Sequence, residues 1–412
     1  MTNQTPQGDA LALFRRAQKS MSGERFEAGE HQWLGREGLY LACEKFGITR
    51  SPFMRLQRRE GDEVFSYGEL VALSGDFYGS PRELFEEKPS PLPWLYEAND
   101  LSDLRKCFQT ELAWIEDERR GLNVGYPNES IALVWNSKSM VELALNNDMH
   151  FGWHNIVAYC RHHAEALKLA SQADQQNDKD PTWRRAIFYN AFADHFLTDA
   201  FAAGHVRVPR SQIRAWAKKN NWSENLAGGL SKVLHDQDGH VETVHSSGEK
   251  DLAEEGLRVQ NSLGTEWHTR CDGQLFIVKP ASEPLIQEPT RAVAMSLIEL
   301  FAARRTRLLP DGIYQALPHV PFPHSGATTL CDKFNPNMPF KQFDTLMTSL
   351  SWYVKVPWIG PGVDEDNVRA LFFALPDLMK DFRQSIKTTY DNNPELQIRL
   401  PIDYVNAFKS IT

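Results

Sequence analysis

The stretch HFLTDAFAAGH, residues 195–205, places three side chains of the metal-ligand type at helical intervals. His195 and Asp199 are four residues apart and share one face of a predicted helix, and His205 lies almost three turns beyond His195. The small residues at 200 and 202–204 leave room beside them. Imidazole nitrogen and carboxylate oxygen are ligands of Zn²⁺. Spacing alone leaves two interpretations open, a metal-binding edge or a helix end with an ordinary aspartate and two ordinary histidines.

Two fragments nearer the N-terminus carry the same kinds of side chain. His31 stands at the start of a predicted helix in GEHQW, residues 29–33. Asp76 ends the helical run YGELVALSGD among apolar residues, where a carboxylate is costly to bury unless it is paired or bound to a metal. Both residues therefore join the candidate ligands.

Two later fragments extend the set. His150 precedes a predicted helix, and His154, one turn later, is the alternative ligand at this point of the chain. His235 closes another helix, with Asp238 three residues after it. By contrast, the pair at 162 and 163 lies on a polar helix segment, and we interpret both histidines as solvated.

Taken in order, these fragments resemble the zinc-dependent phospholipases C and fungal single-strand nucleases. HFLTDAFAAGH matches the pattern His-x3-Asp-x5-His of these all-helical phosphodiesterases, including the aromatic residue. His31 with Trp33 resembles their N-terminal His-x-Trp, Asp76 their bridging aspartate, and His150 with Phe151 their next histidine. The segments HDQD and GLRVQNSLGTEW bring the chain closest to a larger bacterial branch of zinc metallophospholipases C.

The resemblance implies a cluster of two or three zinc ions and a ligand set for each. One zinc would take Asp76, His150, His195 and Asp199; its partner would take His205, His235 and Asp238; and a third would take His31 with Asp199 bridging. The resemblance also makes Asp76 the catalytic residue that orients or deprotonates the attacking water. It implies a phospholipase C that releases diacylglycerol and a phosphorylated head group.

The chain departs from the family pattern in two places. The family's last ligand pair has an acid four residues after the histidine, whereas His235 has Gly239 there, so a pair at 245 and 249 is the alternative. The family binds its third zinc through an N-terminal Trp, which this chain lacks. That ion is therefore either absent or held by Glu27 or Glu30.

Helical periodicity predicts a mainly α protein, a multi-helix bundle of the phospholipase C type. The alternating segment at 256–276, with its Asn-Ser-Leu-Gly turn, predicts a β-hairpin or an ordered loop. We divide the chain into an extension at 1–24, a catalytic domain at 25–310 and a C-terminal module at 311–412. The predicted helices span residues 29–47, 101–120, 130–147, 150–173, 181–205, 290–309 and about 364–390.

Charge and composition narrow the partners. The 412 residues include 45 Lys and Arg against 54 Asp and Glu, a net charge of −9, so the average surface repels polynucleotides and favours phospholipid head groups. The aromatic segment 339–361 either dips into a membrane interface or packs over the core. A nuclease on the same site and a helical binding protein with structural histidines are the alternative functions.

The cysteines and the N-terminal sequence indicate the cellular compartment in which the protein is expected. The five cysteines are scattered without a CxxC pair, and we expect most to be reduced and buried. The first thirty residues lack the charged-then-apolar order of a secretory signal, and no run of about eighteen apolar residues occurs. We expect a cytoplasmic protein or one exported by a route that reads no cleavable signal.

Overall fold

The computed structural model describes most of the chain from residue 28 onwards. The described residues are 28–86, 101–120, 122, 148–239, 256–273, 275–276, 283–350, 352–355 and 361–411. The helix predicted at 130–147, the alternative ligand pair at 245 and 249, and residue 27 lie outside these ranges.

The described residues form a mainly helical protein with one small sheet, as the periodicity predicts. The first helices are α1 (Ala28–Phe46), α2 (Tyr67–Leu73), α3 (Pro81–Glu86), α4 (Leu101–Arg119), α5 (Trp153–Gln172), α6 (Pro181–Asp199), α7 (Ala203–Arg207), α8 (Arg210–Lys219) and α9 (Glu224–Asp238). They are followed by β1 (Leu257–Gln260), β2 (Glu266–Thr269), α10 (Glu283–Thr306) and β3 (Phe322–Pro323). The remaining helices are α11 (Leu330–Lys333), α12 (Phe340–Ser349), α13 (Trp352–Lys355), α14 (Glu365–Asp391), α15 (Pro394–Arg399) and α16 (Ile402–Ser410).

Helix α6 is the buried centre of the bundle. It begins with Pro181, whose fixed φ suits a first turn, and the Asp180 side chain caps it by accepting from the Thr182 amide. Every residue of α6 from Ala186 to Asp199 is buried, because α5 and α10 pack on it and α2 and α3 cover its other sides. A helix buried all round carries its polar residues into the core, where each needs a partner.

The hairpin prediction is confirmed, and the sheet joins the C-terminal part of the chain to the rest. Strands β1 and β2 pair antiparallel around the turn at 261–264, and β3 adds antiparallel to the other edge of β1. Helix α14 packs on α8 and α9. Among the described residues, one cluster of buried apolar side chains runs from Ala28 to Ile411, so the residues after 311 share the core of those before it.

Most helix boundaries agree closely with the sequence. The helix predicted at 181–205 is wrong in its last part, because α6 ends at Asp199 and, after a turn at 200–202, the separate helix α7 carries His205. Helix α1 ends before Gly47, which has a φ of +70°, and α14 begins after the capping residue Asp364. Helix α10 starts before residue 290, because it continues through Pro289. Four of the five cysteines are buried and all are unbridged, as expected. In the described part of the chain, no helix has the length and apolar character needed to cross a bilayer.

A buried polar network ties α2, α5, α6 and α10 together. The Tyr67 hydroxyl donates to the Asp194 carboxylate at 2.7 Å and accepts from Asn190, and Asp194 also accepts from Ser296 at 2.6 Å. His163, which we interpreted as solvated, is fully buried and lies 2.7 Å from the Asn190 side-chain oxygen. That interpretation was wrong because the polar neighbours of His163 are inside the protein. Burial raises the pKa of Asp194 to about 7, although its hydrogen bonds lower it.

We expect Tyr67→Phe to destabilise the protein by about 1–3 kcal/mol, since the buried Asp194 carboxylate loses a donor that no water replaces. Chemical denaturation measures the loss. Tyr40→Phe is the matched control, because the Tyr40 hydroxyl donates to the weak acceptor Met54 Sδ, at 4.0 Å. Equal stability of the two variants would contradict the role given to the network.

Candidate metal centre

The C-terminal end of α6 places a buried carboxylate among four imidazoles. Asp199 is 2% exposed. Its Oδ2 lies 2.7 Å from His150 Nδ1 and 3.7 Å from His195 Nε2. Its Oδ1 lies 3.4 Å from His31 Nε2 and 3.9 Å from His205 Nδ1. The structure thus brings together four histidines that come from three separate stretches of the sequence, around residues 31, 150 and 195–205.

A second group adjoins the first through His205. Its Nε2 lies 3.1 Å from Asp272 Oδ2, and the same oxygen lies 2.5 Å from His235 Nε2. The rings of His205 and His235 meet edge to face, with centroids 4.9 Å apart. Since His205 also faces Asp199, the two groups are neighbours within one site.

In the part of the chain that the structure describes, three sets of ligand atoms are close enough together to hold a metal ion, and the atoms within each set lie within 4.8 Å of one another. They are His31, His195 and Asp199; Asp76, His150 and His195; and His205, His235 and Asp272. Asp76 and Asp272 are only partly buried, whereas the histidines are buried. The Asp272 side chain itself is nevertheless only 7% exposed, less than the 11% of His235.

One ring nitrogen of each of four histidines is held by an oxygen outside the ligand sets. For His195 this nitrogen is Nδ1, 3.2 Å from the Val71 carbonyl, and for His205 it is Nδ1, 2.7 Å from the His150 carbonyl. A carbonyl oxygen only accepts, so both Nδ1 atoms carry the proton and both Nε2 atoms have a lone pair directed into the site.

The other two histidines follow the same rule. His235 Nδ1 lies 2.8 Å from an Asp236 carboxylate oxygen, and His31 Nδ1 lies 2.7 Å from the Thr198 hydroxyl, which itself donates to a backbone carbonyl of α6. Metal-ligating histidines almost always have such a partner for the second nitrogen, because it fixes the tautomer and the ring orientation.

The electrostatics match a site built to hold positive charge. Burial would raise the pKa of Asp199, but its electrostatic interactions with His150, His195 and His205 and its hydrogen bond with His150 outweigh burial and lower that pKa. Burial lowers the pKa of His195 well below its usual value. A buried neutral imidazole beside a buried carboxylate is the protonation state that a cation needs.

His235 behaves differently. Burial lowers its pKa, yet the Asp272 charge and the Asp236 hydrogen bond outweigh burial and raise the pKa of His235 to about 9. In the metal-free protein this imidazole is therefore protonated at neutral pH, and a cation that binds it displaces a proton.

Two glycines let the rings approach the backbone. A Cβ at Gly75, where φ is +74°, would lie 2.3 Å from His195 Nε2 and 2.7 Å from His150 Cε1. A Cβ at Gly204 would lie 2.3 Å from His235 Cδ2, which confirms the expectation that small residues in the 200–204 segment leave room for ligands. Any larger residue would fill the space that the imidazoles occupy.

Asp238 requires a correction. Its two carboxylate oxygens accept from the Arg207 guanidinium at 2.6 and 2.8 Å, and its backbone carbonyl accepts from Lys333. The side chain is thus fully engaged by a buried cation, and Asp272 takes the place beside His235 that we gave to Asp238. The sequence CDG at 271–273 carries a turn signal, but nothing in its spacing links it to a histidine on α9.

The structure also distinguishes between two pairs of alternatives that the sequence left open, His150 or His154 as a ligand, and Glu30 as a ligand of a third ion or not. His150, not His154, belongs to the ligand sets of the described residues, and the His154 ring packs beside Trp153 at a centroid distance of 4.2 Å. Glu30 is absent from those sets, and its carboxylate accepts from the Gly273 and Leu275 amides.

Comparisons of the chain with protein-family models, with curated proteins and with solved structures gave no match. The structure itself shows a mainly helical protein with buried histidine and aspartate groups that can hold a metal ion.

We expect Asp272→Asn to lower the metal content of the purified protein by one ion, because an amide oxygen is a much weaker ligand than a carboxylate. Asp238→Asn is the matched control. It should keep its metal but lose about 3–5 kcal/mol of stability, since it leaves the buried Arg207 without its counter-charge. Elemental analysis and denaturation separate the two effects, and metal loss in Asp238→Asn alone would reverse the assignment.

His154 gives an expectation about pH. Burial lowers the pKa of His154 to about 4, and the Asp148 charge only partly opposes this. Between that value and the ordinary pKa of about 6.5 the unfolded chain binds the extra proton, so stability falls as the pH drops through this window. Between pH 7 and pH 5 the free energy of unfolding of His154→Gln should fall by about 2 kcal/mol less than that of the parent. Chemical denaturation with a chelator present measures this difference. Parallel pH profiles would refute the buried, neutral state of His154.

Proposed function

We propose that this protein is a zinc-dependent phosphodiester hydrolase, a phospholipase C that cleaves glycerophospholipids to diacylglycerol and a phosphorylated head group. The observation that carries the proposal is the position of His205, which faces Asp199 on one side and Asp272 on the other. His205 has a lone pair only on Nε2 and so belongs to one cation site, but its position sets the His205, His235 and Asp272 group next to the Asp199 group. Neighbouring cations are the arrangement that phosphodiester hydrolysis uses.

The ligand atoms of the site fit zinc better than the commoner hard cations. Imidazole nitrogens outnumber carboxylates around Asp199, whereas Mg²⁺ and Ca²⁺ take oxygen ligands. Zinc has no redox chemistry, which suits hydrolysis. When bound, zinc would polarise the phosphoryl oxygens and lower the pKa of an attacking water.

The chain's own residues supply orientation and proton handling. Asp76 shares a set with His150 and His195 and is only partly buried, so its carboxylate is placed to accept a hydrogen bond from a water that enters the site. Asp199 holds the buried imidazoles in place through its negative charge. The Val71 carbonyl and Asp236 fix two of the rings so that their lone pairs point inward.

The choice of lipid as substrate rests on charge and on the resemblance of HFLTDAFAAGH and its neighbouring fragments to the phospholipases C. A net charge of −9 disfavours a polynucleotide, whose binding needs a basic surface. A single-strand nuclease would use the same ligands and the same water, so only the substrate distinguishes the two activities.

The test is release of phosphocholine from mixed micelles of phosphatidylcholine by the purified protein. We expect a chelator to abolish the release, zinc to restore it, and Asp199→Asn to reduce it at least about 100-fold, because that carboxylate faces four ligands. His324→Gln is the control, since His324 lies in the loop beside the sheet and pairs with Glu266.

Three outcomes decide between the candidate functions. Chelator-sensitive release of phosphocholine supports the phospholipase C. Hydrolysis of single-stranded DNA without lipid turnover would replace it with the nuclease. Protein that holds no stoichiometric metal and hydrolyses neither substrate would leave a helical binding protein with structural histidines.

A further inference from the structure

Glu30 is a buried acidic residue at the start of α1, in the first turn of the helix that also carries His31. It is 5% exposed. One carboxylate oxygen accepts from the Gly273 amide at 2.9 Å and the other from the Leu275 amide at 3.1 Å. Both amides belong to the segment that follows Asp272. The side chain thus connects α1 to a loop that lies more than two hundred residues further along the chain.

These bonds explain why a carboxylate is buried here. Removing an ionised side chain from water is costly unless strong hydrogen bonds replace its hydration, and bonds from backbone amides to a charged oxygen are about twice as strong as neutral ones. With each oxygen directed at an amide, the carboxylate of Glu30 is turned toward the loop backbone. Its position explains why it is absent from the groups of ligand atoms.

The loop that carries Asp272 is held from its other side as well. The Arg270 carbonyl accepts from the Ala203 amide at 2.7 Å, at the start of α7, and the Cys271 sulfur lies 3.1 Å from the His235 carbonyl. These contacts fix the residues before Asp272, and Glu30 fixes those after it. The Asp272 side chain is therefore held between two anchored stretches of backbone and faces His205 and His235.

We infer that Glu30 is a positioning residue for the metal group formed by His205, His235 and Asp272. It acts through the backbone: its carboxylate fixes the loop, and the loop fixes the Asp272 oxygen at the two imidazoles. The inference rests on the proposed binding of zinc at this group but not on the identity of the substrate. It gives Glu30 a role different from that of a ligand to a third ion.

Glu30→Gln tests this with almost no change of shape. The amide keeps one acceptor and turns an N–H₂ toward the second loop amide, where two donors repel. We expect the zinc affinity of the His205, His235 and Asp272 group to fall about 10–100-fold, the usual effect of removing a partner that orients a ligand. Competition with a chromogenic chelator gives the affinity and the number of ions held, without any activity measurement.

Glu111→Gln is the matched control. Glu111 is also buried, and its carboxylate accepts from the Gly29 amide at 2.8 Å, one residue before Glu30. The variant therefore removes a similar carboxylate-to-amide bond at the same end of α1, but one made to a backbone amide of α1 and not to an amide of the Asp272 loop. We expect its zinc content and affinity to equal those of the parent, with any loss confined to thermal stability.

A second variant covers the case in which Glu30→Gln does not fold. Glu30→Asp keeps the charge but withdraws it by one methylene, and it should weaken the same zinc site to a smaller degree. If both folded variants bind zinc as tightly as Glu111→Gln, the inference is wrong. It is also wrong if the parent protein holds no zinc at this group.

The outcomes separate this inference from the proposed function. Zinc lost from Glu30→Gln but retained in Glu111→Gln supports the positioning role, even if the parent fails to hydrolyse phosphatidylcholine. If the parent hydrolyses phosphatidylcholine but Glu30→Gln binds zinc as tightly as the parent does, the phospholipase activity is supported and the positioning role is overturned.

Discussion

The buried carboxylate of Asp199, surrounded by four imidazoles, is the constraint on which the rest of the site depends. A carboxylate that is 2% exposed is unfavourable without compensating positive charge, and four of the ligand-type histidines are turned toward it. These histidines come from α1, from the turn before α5, from α6 and from α7. The packing of these elements around α6 is therefore also the assembly of the site.

The surrounding backbone decides how the imidazoles point. The Val71 and His150 carbonyls each hold the Nδ1 of one histidine, so the opposite nitrogens face inward. Below the site, Asp194 joins Tyr67, Asn190 and Ser296 in a network that fixes α6 against its neighbours. Such satisfied networks make a core rigid, and a metal site needs this rigidity because its ligand atoms must stay within a few tenths of an ångström.

Local patterns predicted those parts of the molecule that depend on neighbours in the chain. Helix α1 was predicted to end at Gly47 and α14 to span about 364–390, both close to the observed bounds, and the hairpin followed from alternation and its turn. His163 was misinterpreted because its polar surroundings in the sequence suggested solvent. In the folded protein the partners of His163 are Asn190 and Glu299, which lie on other helices, and the His163 side chain is fully buried.

For the site, the sequence by itself determined the ligand types and the pairing of His195 with Asp199, because residues four apart on a helix must share a face. Which carboxylate stands beside His235 was decided only by the tertiary structure. Asp238 is nearer in sequence, but it is held by the buried Arg207, and the loop after β2 brings Asp272 into the vacant position. A buried guanidinium requires a counter-charge. Arg207 and Asp238 meet only in the folded protein, so the spacing of residues along the sequence does not show that Asp238 is already paired.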